Sequence, residues 1–159
     1  MVSNLFINGC SFLTTRPKDN VHTHCGLELA KLMELDVAVS LAGGGRGSKR
    51  MMWTTRTWCE KFPEQAEKCF FLIGSSGGNR FDYPTGDGYK AHKFPSMKTT
   101  WKTWDPNRDE HTRSFTKYLF RAGMDLDQTT QIESTLALLD LQDYFQNKKY
   151  PYVFYNTLS

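Results

Sequence analysis

The sequence predicts a single-domain α/β protein, with a parallel sheet held between helices in three layers. Three observations carry this. Four short apolar runs, Leu5–Asn8, Val37–Leu41, Cys69–Gly74 and Tyr152–Tyr155, are near-continuous rather than alternating, as in strands covered on both faces. Segments with helical periodicity separate them, which is the pattern of parallel strands joined by crossover helices. The chain of 159 residues is 39% hydrophobic and 23% charged, enough for one core and too apolar for a disordered chain.

Taken in order, the first run stops at Gly9 and is followed by Cys10-Ser11-Phe12. Gly26–Leu35 places Leu27, Ala30, Leu32 and Leu35 near one stripe and reads as a helix. The second run opens into Ala42-Gly43-Gly44-Gly45-Arg46-Gly47. Ser48–Phe62 reads as the next helix, ended by Pro63. The third run leads into Gly74-Ser75-Ser76-Gly77-Gly78-Asn79-Arg80. Phe81–Arg108 fits neither period; it carries Pro84, Gly86, Gly88, Pro95 and Pro106 with Trp101 and Trp104. An irregular, basic, Trp-containing insertion, acting as a functional loop or a folded lid, is expected there (residues 81–108). The longest helix is expected over Thr130–Lys148. Thr130-Gln131-Ile132-Glu133 has the form of a capping box. Ile132, Leu136 and Leu139 recur at helical spacing and are expected to face the core, with Leu138, Leu141 and Phe145 widening that face.

Composition narrows the function classes. No apolar run is long enough to cross a bilayer. Met1-Val2-Ser3-Asn4 carries no basic segment of the kind that opens a secretion signal. The four cysteines, Cys10, Cys25, Cys59 and Cys69, show no Cys-x-x-Cys spacing, so reduced structural thiols in a cytoplasmic protein are expected. The net charge of +3 is unevenly spread. Gly43–Trp58 holds Arg46, Lys49, Arg50 and Arg56 with no carboxylate. Tyr89–Arg121 holds eight basic residues against Asp105, Asp109 and Glu110. Such a field favours an anionic ligand, or else is a solvated basic face.

The chemistry-bearing segments are the three small-residue turns that follow the first three strands. In a parallel sheet these turns emerge together at the carboxyl edge, where ligands bind. A serine held on such a turn, with backbone N–H groups nearby, has the mounting a nucleophile needs. The second turn is not a nucleotide loop. Gly47-Ser48-Lys49-Arg50 lacks the order of a phosphate-binding Gly-Lys-Ser/Thr, and Ser48 stands where a dinucleotide fingerprint needs its third glycine. His22-x-His24-Cys25 supplies three candidate ligands without an evident fourth, so no metal and no cofactor is expected.

Gly9-Cys10-Ser11-Phe12, Ser40-Leu41-Ala42-x-Gly44-Gly45 and Leu72-Ile73-Gly74-x-Ser76 resemble the first three blocks of the SGNH (GDSL-like) hydrolases. The likeness is to the bacterial and phage-encoded branch whose first block reads Gly-Cys-Ser-Phe, and order and spacing agree over roughly residues 4–83. The resemblance implies a flavodoxin-like α/β/α fold and hydrolysis of esters or acyl groups. It implies Ser11 as nucleophile, and an oxyanion hole from the N–H groups of Ser11 and Gly45. Register then puts Ser76 at the third donor position, with Asn79 the nearest asparagine. Cys10 and Ser40 replace the aspartate and asparagine usual in those blocks. The family's Asp-x-x-His block is absent; the chain's histidines are His22, His24, His92 and His111. Relative to the family, the pattern is expected to be cut short at its C-terminal end.

Two functions are therefore expected from the sequence. One is an SGNH-type serine ester or acyl hydrolase, weak or inactive where no base is supplied, acting on a small-molecule or carbohydrate ester. Arg46, Arg80, His92, Trp101 and Trp104 are its candidate substrate contacts. The other is a non-catalytic binding or assembly protein that uses the same crevice for a carbohydrate or anionic ligand. A homo-oligomer is expected in either case, with no membrane partner; a nucleic-acid binder resting on the basic, Trp-containing loop comes last among the readings.

Overall fold

The computed structural model describes residues 1–75, 80–85, 100–103 and 110–156. Four strands, β1 (Asn4–Gly9), β2 (Asp36–Ser40), β3 (Cys69–Ser75) and β6 (Tyr152–Asn156), form one sheet in the order β2-β1-β3-β6. Every pairing in it is parallel. The all-parallel sheet with helices on its faces is the three-layer, flavodoxin-like α/β arrangement expected from the sequence.

Alternation of side chains along the strands divides the core in two. On one face Phe6, Phe71 and Ile73 are fully buried. They meet Trp58 and Cys59 of α2 (Ser48–Lys61) and Leu141, Tyr144 and Phe145 of α5 (Leu126–Lys148). The centre of this layer is aromatic: Phe71 lies 4.7 Å from Phe145, 5.0 Å from Phe6 and 5.4 Å from Tyr150, ring to ring. On the other face Leu5, Ile7 and Leu72 meet Leu13 and Ala30, the latter on α1 (Cys25–Leu32). This second layer is thinner, and Val153 of β6 is left exposed.

The helix α5 departs from the sequence reading at both its start and its face. It begins at Leu126, one turn before the expected capping box. Asp125 is the N-cap, accepting from the N–H of Gln128 at 2.9 Å. Thr130 instead turns its hydroxyl back to the carbonyls of Leu126 and Asp127. The buried residues are Thr130, Ser134, Ala137, Leu141, Tyr144 and Phe145. Ile132, Leu136 and Leu139, expected in the core, are 53%, 60% and 50% exposed. Small residues face inward because α2 runs alongside. The two helices are tied by Lys49–Glu133 at 2.8 Å, Arg56–Asp140 at 2.7 Å and the Tyr144 hydroxyl donating to Glu60 at 2.6 Å.

The segment expected to be irregular contains a hairpin. Its strands β4 (Asp82–Thr85) and β5 (Thr100–Thr103) pair antiparallel in a separate two-stranded sheet. The pairing spans a long connection, so no tight-turn signal marks it in the sequence. A helix not expected from the sequence, α4 (Glu110–Arg121), follows. A short α3 (Pro63–Ala66) continues from α2, with Pro63 at its first turn. Among the described residues no helix is long and apolar enough to cross a membrane.

Candidate functional site

The carboxyl edge of the sheet is built by close backbone approach. Gly9 ends β1 and pairs with Gly74 of β3. A Cβ on Gly9 would lie 2.8 Å from the Gly74 carbonyl oxygen and 2.7 Å from Leu13, closer than real side chains come. Gly43, just past β2, donates its N–H to the Gly9 carbonyl at 3.0 Å. The three corners that the sequence places after separate strands thus meet at Gly9, Gly43 and Gly74. Gly45, at φ 74°, takes the left-handed conformation in a turn closed from Arg46 N–H to the Gly43 carbonyl at 3.5 Å. That conformation is cheap for glycine and costly for other residues.

Ser11 stands two residues beyond Gly9, at the start of a 3₁₀ turn, Ser11–Leu13, closed from Leu13 N–H to the Cys10 carbonyl at 3.1 Å. Gly45 stands two residues beyond Gly43. Both are therefore within a short reach of one hydrogen-bonded junction. Ser75 closes β3 and its hydroxyl donates to the Tyr155 carbonyl at 3.4 Å. Ser76, Asn79, His92 and Trp104 lie outside the described residues.

Asn8, fully buried, fixes the end of β1 against α2. Its amide nitrogen donates toward the Met51 carbonyl at 3.2 Å and the hydroxyls of Thr54 and Thr55, each at 2.9 Å. Its side-chain oxygen accepts from the N–H of Gly9 at 2.9 Å. This residue positions the whole corner, and sequence reading passed over it because an amide closing an apolar run looks like a strand terminator. Asp82 is a second buried polar anchor, 1% exposed. It accepts from the N–H of Gly47 at 2.6 Å, putting a carboxylate at the start of α2, where the helix dipole favours one.

The basic and aromatic candidates divide. Arg46 folds back on the glycine turn: a Cβ on Gly43 would fall 2.4 Å from its Nε. Burial and the neighbouring Arg50 lower the pKa of Arg46, while Asp82 acts the other way. Arg80 is partly buried, and its carbonyl oxygen would be 2.7 Å from a Cβ on Gly47. Trp101 packs edge-on against Trp53 of α2, ring centroids 6.3 Å apart, so it is part of the seam between hairpin and helix rather than an open stacking platform.

Of the other reactive groups, Cys10 follows Gly9 and Tyr155 pairs with Gly74 at this rim, while Cys59 and Cys69 lie away from it. All four cysteines are free thiols. Burial pushes the Cys59 thiol up to about 12 and the Cys69 thiol to about 11, so neither supplies a thiolate at neutral pH. The exposed Cys25 shares a hydrogen bond with the Tyr155 hydroxyl at 3.3 Å. His24 occupies the N-cap position of α1, and burial lowers its pKa. Among the described residues no group of three or more His, Cys, Asp or Glu side chains gathers as a metal site. No family model, no curated protein and no solved structure matches the chain.

Proposed function

We propose that the chain is an SGNH-type serine ester or acyl hydrolase with Ser11 as nucleophile. The N–H groups of Ser11 and Gly45 serve as oxyanion donors, and Ser76 or Asn79 completes the hole. What supports the reading is the meeting of Gly9, Gly43 and Gly74 at one junction. Backbone donors fixed in this way need no reorganisation when charge develops on a substrate oxygen, and one such donor contributes about 10²–10³ in rate. The substrate is a small-molecule or carbohydrate ester, with Arg46 and Arg80 beside it.

Chemically, the Ser11 hydroxyl adds to the ester carbonyl, the oxyanion rests on the backbone donors, and the alcohol leaves with a proton. A serine at its ordinary pKa needs a base for this. With none supplied, binding and the oxyanion donors alone leave about 10³–10⁴ over water. A weak esterase is the expected phenotype on that branch.

The test is covalent labelling by a fluorophosphonate together with turnover of p-nitrophenyl acetate, comparing the native chain with Ser11→Ala. Labelling should vanish in the variant, and release of p-nitrophenol should fall to what binding and the oxyanion donors alone supply. Equal labelling of the two forms removes Ser11 as nucleophile. The second reading is a non-catalytic binding or assembly protein. It draws support from the outward apolar stripe of Ile132, Leu136 and Leu139, which the fold does not cover.

A further inference from the structure

The hairpin, α4 and the start of α5 enclose a hollow between them. Phe81 just precedes β4 and Tyr83 lies in it, two residues on, so alternation puts both rings on one face. The rings stack with centroids 6.3 Å apart. On α4, Phe115 and Leu119 stand one turn apart and share a face. On α5, Leu126 and Glu133 stand two turns apart and share another. Met124 belongs to the connection between the two helices. These faces converge on one cavity of about 520 Å³.

The walls are aromatic and aliphatic, and the one carboxylate among them is Glu133. Lys49 of α2 meets that carboxylate at 2.8 Å, and the same ammonium lies 5.2 Å from the centre of the Phe81 ring. The wall charge is thus balanced from within the protein, and no lysine or arginine lines the cavity. A charged ligand would enter an apolar space without a counter-ion of its own, which is costly. An uncharged apolar one would gain by leaving water.

Protein interiors are packed to the density of organic crystals, so a space of this size is a departure from core packing. Its volume falls in the range of roughly 300–1,000 Å³ typical of small-molecule sites. Walls from three elements make it a concavity, unlike the outward stripe of α5. Two of its wall residues, Phe115 and Met124, are 48% and 41% exposed, so an occupant would cover apolar surface that the chain leaves open.

We propose that this cavity binds an uncharged, mainly apolar small molecule of the class of an aliphatic alcohol. The site requires neither Ser11 nor the hydrolase reading.

The experiment is calorimetric titration of the full chain with octanol. Saturable one-site binding is expected, with the Met124 methyl resonance shifting in step. Affinity should rise about fourfold for each added methylene from hexanol to octanol, the gain for burying one such group. Leu119→Trp, which fills the cavity from α4, should weaken binding by about tenfold or more, as removal of one methylene's space in an apolar pocket already can. Met124→Trp fills it from the connection between the helices and serves if thermal melts show Leu119→Trp unfolded. Leu136→Gln, on the outward face of α5, and Ser11→Ala should bind as the native chain does. Sodium octanoate should bind more weakly than octanol by about tenfold or more; equal affinity overturns the uncharged class. Absence of saturable heat, a filling variant that is folded and binds like the native chain, or an equal loss in Leu136→Gln overturns the site. Absence of octanol binding together with a dimer that Leu119→Trp converts to monomer in sedimentation gives the cavity to a second copy of the chain and removes the small-molecule site.

Discussion

Asn8 shows how much one side chain can hold in place. Its amide joins the end of β1 to α2 and also fixes the N–H of Gly9, the residue whose carbonyl receives Gly43. Replacing it by alanine takes away the hydrogen bond of the buried Thr55 hydroxyl, while the Met51 carbonyl and the Thr54 hydroxyl each lose one bond and keep another. We expect Asn8→Ala to cost about 1–3 kcal/mol, the penalty of buried polar groups left unpaired, read as a lower midpoint in urea. Asn8→Asp should be worse at neutral pH, since its ionised form would face the Met51 carbonyl in a buried site. Burial raises the pKa of such a carboxyl in the folded state. The added loss is therefore absent below the unfolded pKa and grows as pH rises through it. A urea midpoint for Asn8→Asp that does not improve on acidification relative to Asn8→Ala would contradict this account. The role was invisible beforehand because the partners stand far along the chain from Asn8. The glycines, by contrast, were legible: three of them ended or followed apolar runs, and the parallel topology dictates that such ends meet.

At the level of elements, α5 separates what periodicity can and cannot tell. Its helical character was plain, but its inward face was not, because the bulkier stripe points to solvent and the smaller residues point to α2. Close approach of two helices selects small side chains, and no hydrophobicity pattern records that selection. Ala137 is 5% exposed in this seam, whereas Leu136 is 60% exposed. We expect Ala137→Leu to overpack and cost about 1–3 kcal/mol, and Leu136→Gln to stay within about 0.5 kcal/mol, as surface substitutions do. Thermal melts of the two variants decide it; the reverse ranking would return the bulky stripe to the core. The hairpin β4–β5 and the helix α4 escaped sequence reading for a different reason. The strands are short and distant, Pro84 sits within one of them, and α4 buries little of its apolar surface: Phe115 and Tyr118 remain 48% and 66% exposed.

Across the whole molecule, uncovered apolar surface recurs. Ile132, Leu136 and Leu139 lie outward on α5, Phe115, Tyr118 and Phe120 on α4, and Val153 on the thinner side of the sheet. Apolar side chains left exposed on three elements favour association when they adjoin. We therefore expect self-association, checked by sedimentation velocity at micromolar concentration; a clean monomer there, unchanged by Leu136→Gln, would refute it. The fold class was legible because both faces of the central strands are buried, which leaves continuous apolar runs in the sequence. The site was legible only in outline, since its polar anchors, Asn8 and Asp82, carry no local pattern.

The pairing of β3 with β6 sets Phe71 beside Tyr152 and Ile73 beside Phe154, across most of the second half of the chain. Three strands, β1, β2 and β3, precede residue 76, while the fourth is the last element described. Contacts that close so long a loop form late. During synthesis the ribosome thus releases three strands well before the one that caps their edge, and the nascent sheet keeps one side of β3 open to rival strands until β6 arrives.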